Sequence, residues 1–394
     1  MARGPRGRFI WHAFRGNIFL VKKGKLDNET LERLVLGRVG APRPEVIVGP
    51  GIGEDCAVLD FGGYECVLST DPITASASRI GALAVHIACN DVASNGVEPM
   101  AVLLTVLLPT SVTEEEISEI ARQADEAAKS LGVQIVGGHT EVTDVVVQPL
   151  VSATAIGRAP RRGGSGLLRC GSSDGDNEVS DGGGKTQEPS PFVSKTQEPS
   201  PFVSKTQEPS PFVLPGDLVV VTKRLALEGT AIAAEQCAEG LRPYLTEEEA
   251  ARAGAMIEQI SVVKEGVIAG RIGVKAMHDV TEGGVLGAVW EVCTRAGAGV
   301  EIEAAALPFD PVTLKVCAVL GLDPMRLISS GSMLMIVSEG KWGALSAALS
   351  EAGVPATVIG RAKTPAEGLC LVMRDGARER IDPPGPDEIY RVND

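Results

Sequence analysis

Short apolar runs alternate with amphipathic stretches along most of the chain, a pattern that predicts strands and helices in turn. Glu45 to Gly49, Cys56 to Asp60, and Tyr64 to Thr70 ending at Asp71 have the apolar content of strands, and Ala101 to Leu108 is a continuous apolar strand closed by Pro109. Between them, Ile80, Leu83, Ala84, Ile87, Ala88 and Val92 recur at helical spacing and predict a mostly buried helix over 80–95. Thr113 and Glu116 form a capping box, Ile117, Ile120, Ala121, Ala124, Ala128 and Leu131 supply the inner stripe, and Gly132 ends that helix. Val133 to Val136 and Val145 to Gly157 are further strands, and Asn28 to Leu36 is a short amphipathic helix at the start. This alternation predicts one α/β unit over residues 22–160.

A second unit follows over 215–375. Pro215-Gly216-Asp217 is a turn before the strand Leu218 to Thr222, and Thr246 with Glu249 caps a helix running through Ile260. Strands are expected at 274–277, 300–304 and 333–337, and helices at 285–294, 311–320 and 342–352. Pro383-Pro384-Gly385-Pro386 marks an irregular tail over 376–394. Residues 161–214 break the pattern, because Lys-Thr-Gln-Glu-Pro-Ser-Pro-Phe-Val begins at Lys185, Lys195 and Lys205. Two prolines per copy exclude helix and central strand, and one Phe-Val pair buries too little to offset ordering entropy, so a flexible insertion produced by tandem expansion is expected. Residues 1–21, Arg-rich with interleaved aromatics, lack an uninterrupted apolar stretch and are expected to be a disordered extension.

Composition narrows the function classes. With 394 residues there is material for two cores, and the net charge of −14 argues against non-specific nucleic-acid binding, which depends on neutralising phosphates. The 8 cysteines include no C-x-x-C pair, so neither a disulfide framework nor a zinc site is expected and a reducing compartment, the cytoplasm, is the simplest home. No run reaches the roughly 18 apolar residues that a membrane-spanning helix needs.

Five clusters of carboxylates and glycines carry the candidate chemistry: Gly53-Glu54-Asp55, Ser69-Thr70-Asp71, Asn90-Asp91, Gly137-Gly138-His139-Thr140-Glu141, and His278-Asp279-Val280-Thr281-Glu282-Gly283-Gly284. Each sits where an apolar run ends, and clustered oxygen ligands suit Mg²⁺ with bound phosphate. Gly137 and Gly138 would let backbone approach a phosphate, and Gly283-Gly284 opening a helix would offer N–H groups to an anion. His139 and His278 are either acid/base or phosphate groups, or hydrogen-bonded structural histidines. Two familiar nucleotide signatures fail. Gly182 to Thr186 resembles a P-loop ending but has Val179 where glycine is needed, and Gly51-Ile52-Gly53 is followed by a strand instead of a helix.

Together with Pro215-Gly216-Asp217 and Ser329-Ser330-Gly331, these clusters occur in the order of the aminoimidazole-ribonucleotide synthase superfamily, which the chain resembles over residues 22–375 outside the insertion. The resemblance implies an α/β (α+β) protein with a PurM-like two-domain fold, a homodimer whose N-terminal domains close a mixed barrel, and ATP at the interface. By motif, Asp55, Asp71, Asp91 and Glu141 correspond to the Mg²⁺ carboxylates, although a turn cap is the alternative for any one of them. Asn90, Gly137, Gly138, Thr140, Gly283 and Gly284 correspond to nucleotide contacts, and His139, His278 and Asp279 to the catalytic group. Lys23 and Lys25 resemble the flexible basic arm that reaches the phosphates, or are solvated charges.

Within the superfamily the motifs look most like the HypE-like group, whose members dehydrate a carbamoyl carried on a terminal cysteine. Here Asp394 ends the sequence, Cys370 is the last thiol, and Ser329-Ser330-Gly331 stands where that group carries Asn-Glu-Gly. The expected activity is ATP- and Mg²⁺-dependent activation of an amide or carboxamide oxygen, or phosphorylation of a small molecule. The acceptor is a small-molecule or protein-bound amide. A HypE-type hydrogenase maturation factor and a catalytically silent nucleotide-binding scaffold are the alternatives.

Overall fold

The protein is described by a computed structural model over residues 28–36, 38, 40–41, 43–54, 56–73, 79–160 and 213–393. The expectations for the N-terminal extension, Lys23, Lys25, Asp55 and the repeats, including the P-loop-like stretch 182–186, lie outside the described residues.

Asn28–Leu31 (α1) is one helical turn continued by π-helical backbone over Glu32–Leu36, with no buried residue in either. Strands β1 (Val46–Val48), β2 (Ala57–Asp60), β3 (Tyr64–Ile73), β4 (Pro99–Pro109), β5 (Gln134–Thr143) and β6 (Leu150–Pro160) form one sheet in the order β1-β2-β3-β6-β4-β5. It is antiparallel except for the β4–β5 pair, whose parallel pairing needs the crossover connection that a helix supplies between them. Helices α2 (Ile80–Ser94) and α3 (Glu114–Leu131) cover one face, α3 with the expected capping box at Thr113 and the left-handed Gly132. Two strands differ from expectation. β6 begins at Leu150, leaving Val145 and Val147 exposed, and β5 runs on through Gly137 to Thr143 instead of stopping before the glycines.

The second half adds β7 (Leu218–Thr222), β8 (Ala276–Val280), β9 (Gly299–Glu303), β10 (Ser332–Val337), β11 (Ala356–Lys363), β12 (Leu369–Val372) and β13 (Arg378–Arg380), in the order β13-β12-β9-β11-β7-β10-β8. Its helices are α4 (Leu227–Gln236), α5 (Ala238–Leu241), α6 (Glu247–Ala255), α7 (Val263–Ile272), α8 (Gly284–Ala296), α9 (Pro311–Leu320) and α10 (Glu339–Glu351). Along β7, Val219 and Val221 enter a core shared with α8, whereas Leu218 and Val220 enter one shared with α7 and α10. A strand covered on both faces reads as an unbroken apolar run, which is why Leu218 to Thr222 is legible as a strand. Helices α4 and α7 escape a periodicity search. The first is buried all round from Leu227 to Ala233, so no solvated stripe marks it, and the second carries Gly266 and Gly270, which lower helix propensity.

Those two glycines make the seam between the halves. α7 crosses α2 so closely that a Cβ on Gly266 would collide with the Ala93 carbonyl, and one on Gly270 would lie 2.5 Å from Gly96 Cα. Val263 and Val267 of α7 pack into the core of the first half. Beside the crossing, Asn90 donates from Nδ2 to Ile260 O (2.8 Å) and accepts from Val262 N at Oδ1 (2.8 Å). The same segment is held from the other side by Lys223, whose Nζ lies 3.0 Å from Gln259 O and 2.8 Å from Glu265 Oε1.

The seam predicts that Asn90→Ala, which strands a buried carbonyl and a buried N–H, and Gly270→Val, which overpacks the crossing, each cost about 2 kcal/mol or more. Urea unfolding measures this, and unchanged midpoints in both variants would contradict it.

Candidate active site

Facing carboxylates meet in a cavity of about 620 Å³ between the two halves. From the first half come Ser69 and Asp71 on β3 and Asp91 on α2. From the second come Glu228 on α4, His278 and Asp279 on β8, Glu282 just beyond β8, and Ser330 before β10. Polar residues interrupt β3 and β8 because these strands present them to the cavity, so Asp71 and His278-Asp279 lie within strands and not after them.

Asp91 is fixed before any ligand arrives. Ser69 Oγ donates to its Oδ2, and its backbone carbonyl accepts from Ser94 Oγ at 2.7 Å and Cys56 Sγ at 3.2 Å. The neighbouring loop is tied to the other half by Arg295, which donates to Gly53 O at 2.6 Å and pairs with Glu54 Oε1 at 2.5 Å. Among the described residues no three His, Cys, Asp or Glu side chains converge as a closed metal cage. Two carboxylates at an open cavity nevertheless fit Mg²⁺, which takes one or two carboxylates and completes its shell with phosphate and water.

The opposite wall is a dense set of titratable groups. His278 is buried with Nε2 3.1 Å from Glu291 Oε2 and Nδ1 3.6 Å from Asp279 Oδ1. Both Asp279 oxygens are buried without a hydrogen-bond partner among the described residues, and so is Glu228 Oε2. Burial pushes the Glu228 carboxyl up to about 7, against hydrogen bonds from Ser330 that favour its ionised form and with the nearby Asp387 and Glu282 charges adding to the rise. Asp387 is raised by burial to about 6, although it accepts from the N–H groups of Gly283, Ile328 and Ile389. Tyr390 closes the set by donating to Glu282 Oε1 at 2.9 Å. The stretch read as an irregular tail therefore supplies two groups that buttress the wall from behind, and it also contains β13 and a 3-10 turn over Glu388–Asn393.

The structure thus brings Asp71, Asp91, His278 and Asp279 together. Asn90 is absent from the cavity, since both ends of its amide are engaged in the seam. The Gly283 N–H, expected to meet an anion, is occupied by the Asp387 carboxylate at 2.7 Å. A Cβ on Gly284 would lie 2.5 Å from Met325 O, so that glycine serves close packing. Likewise, a Cβ on Gly138 would collide with the Leu104 backbone of β4, which accounts for that glycine without a phosphate. Gly137, His139, Thr140 and Glu141 sit exposed on edge strand β5, where His139 Nε2 is 3.5 Å from Glu141 Oε2. Sequence reasoning missed Glu228, Arg295, Asp387 and Tyr390, because none belongs to a cluster and each reaches the site only through tertiary packing.

Comparison with known proteins gives the lineage. The family model of the AIR synthase related protein N-terminal domain matches residues 53–159, and that of its C-terminal domain matches 215–368. Carbamoyl dehydratase HypE of Rhodobacter capsulatus is 27% identical over 313 residues, covering 78% of each chain. A Methanocaldococcus jannaschii protein, whose name assigns it only provisionally to hydrogenase expression and formation, is 25% identical over 376 residues, covering 94% of this chain and 97% of its own. Among solved structures, hydrogenase maturation protein HypE in complex with ATP shares the fold with a TM-score of 0.62 at 19% identity, over 94% of this chain and 97% of that one. The superfamily resemblance and the two-domain PurM-like α/β fold expected from it hold, and the chain belongs to the AIR synthase related protein family.

Proposed function

We propose that the protein uses ATP and Mg²⁺ to activate an amide or carboxamide oxygen by phosphoryl transfer. The observation that carries this reading is the placement of Asp71 and Asp91 on one wall of the inter-sheet cavity, opposite His278 and Asp279 on the other. Asp71 and Asp91, with Asp55 as the third carboxylate, would hold Mg²⁺, which neutralises charge developing on the transferred phosphoryl group. Ser69 keeps Asp91 oriented for that role. The names of the relatives support a carbamoyl acceptor, and on that ground a HypE-type reaction on a protein-bound carbamoyl is the second reading.

The residues stranded on β5 point to a homodimer. This edge strand leaves Val136 and Val142 exposed, beside exposed Met100 and Leu103 of β4. An unpaired edge with apolar flanks invites a second copy, which would complete a barrel and bring His139, Thr140 and Glu141 into a site shared between subunits. No helix among the described residues is long and apolar enough to cross a membrane, and a cytoplasmic location belongs to the same proposal.

Asp71→Asn and Asp91→Asn are each expected to weaken Mg²⁺-dependent ATP binding on the order of tenfold, about 1.4 kcal/mol, with an unchanged circular-dichroism spectrum. Calorimetric affinities equal to wild type in both variants would remove the metal assignment. Sedimentation at micromolar concentration should give the mass of a dimer, and a monomer would contradict the proposed barrel.

A further inference from the structure

Buried carboxyl groups that the phosphate end of the cavity does not use are the strongest unexplained feature of the protein. Glu228 stands out among them. Its carboxyl is 5% exposed and lines the cavity, one oxygen has no hydrogen-bond partner among the described residues, and the group hydrogen-bonds to the hydroxyl and backbone N–H of Ser330.

The backbone around Glu228 is built to hold it there. Ala226, which precedes α4, adopts the left-handed conformation at φ +58°, a strained choice for a residue with a Cβ. Its N–H is held by Ser329 Oγ at 2.7 Å, and the Gly229 N–H by Ile328 O at 3.0 Å. Only glycine fits at 229, where a Cβ would lie 2.8 Å from the Ile328 carbonyl oxygen. The start of α4 is thereby docked against loop 327–332 on both sides of Glu228, and the side chain is aimed at the cavity by interactions that exist without a ligand.

We propose that Glu228 is the catalytic base of the acceptor half-site, taking an N–H proton from a neutral carboxamide-type acceptor. This rests on the phosphoryl-transfer reading above. Glu282 and Asp279 line the same cavity, and behind them the Asp387 carboxyl lies near enough to Glu228 to raise it, with the Tyr390 phenol donating to Glu282. Such a wall repels carboxylate or phosphate acceptors and accepts hydrogen bonds from N–H groups. In the reaction, the carboxamide oxygen attacks the γ-phosphorus of ATP and the bond to the ADP oxygen breaks. The phosphorylated amide, now a cationic iminium, passes one N–H proton to the Glu228 carboxylate. Its C–O bond then breaks, and the departing phosphate carries off the second N–H proton, leaving a nitrile, ADP and hydrogenphosphate. Glu228 returns its proton to solvent. Because burial and the surrounding negative charge raise its pKa to about 7, the carboxyl is divided between its acid and base forms near neutrality, the condition under which a general base transfers protons well.

The test uses the full-length protein, Mg²⁺-ATP and an S-carbamoyl-cysteine peptide as probe. Glu228→Gln should bind Mg²⁺-ATP within about twofold of wild type and lose on the order of 100-fold in ADP formation. The wild-type rate should rise with pH through a value near 7, and that rise should vanish in the variant. In ¹³C-carboxyl spectra, the resonance missing from Glu228→Gln should titrate near neutrality in the wild type. Wild-type turnover and pH profile in Glu228→Gln, or titration of that resonance in the ordinary carboxylate range, would overturn the proposal. Failure of both proteins to bind Mg²⁺-ATP would instead count against the phosphoryl-transfer reading, with the carboxyl titration still deciding whether Glu228 is poised as a base.

Discussion

The close crossing of α2 and α7 sets how the two halves of the molecule meet. The candidate site lies between two sheets, so its dimensions are set by how nearly those sheets approach, and that distance is governed by two glycines at 266 and 270 that carry no side chain. Asn90 adds direction to proximity. By bonding to both Ile260 O and Val262 N, it fixes the segment entering α7 relative to the helix that carries Asp91 one residue later. A displacement at the seam would therefore move the first wall of the cavity with respect to the second.

The walls differ in their electrostatics. Asp71 and Asp91 stand on one wall, where the Ser69 hydroxyl donates to Asp91, a donor set suited to a divalent cation and phosphate. Opposite them, carboxyls are buried close to one another, and the Glu228 and Asp387 carboxyls are pushed toward their neutral forms. In the proposed reading, this contrast divides a cavity of about 620 Å³ into a charge-binding end and a proton-exchanging end.

Much of this was legible in the sequence because the relevant signals are local. The α3 capping box, the apolar runs of β7 and β10 and the helix Pro311–Leu320 follow from periodicity and caps, and the motif order carries the family. What was not legible depends on packing over distance. Gly283-Gly284 has the composition of an anion-binding turn, but the anion is Asp387, about a hundred residues on in the chain. Asn90 has the composition of a ligand, but its partners come from the other half of the molecule. Glu228 gives no local signal, since an acidic residue in the first turn of a helix is ordinary until its neighbours show that it is buried.

In the proposed arrangement, the inter-sheet cavity holds metal and nucleotide on the Asp71–Asp91 wall and the acceptor on the Glu228 wall. A crystal structure with Mn²⁺ and a non-hydrolysable ATP analogue tests it most directly. The expected result is an anomalous peak between the Asp71 and Asp91 carboxylates, with the γ-phosphate directed toward Ser330 and Glu228. A peak elsewhere on the protein, or a nucleotide bound outside the cavity, would contradict the account.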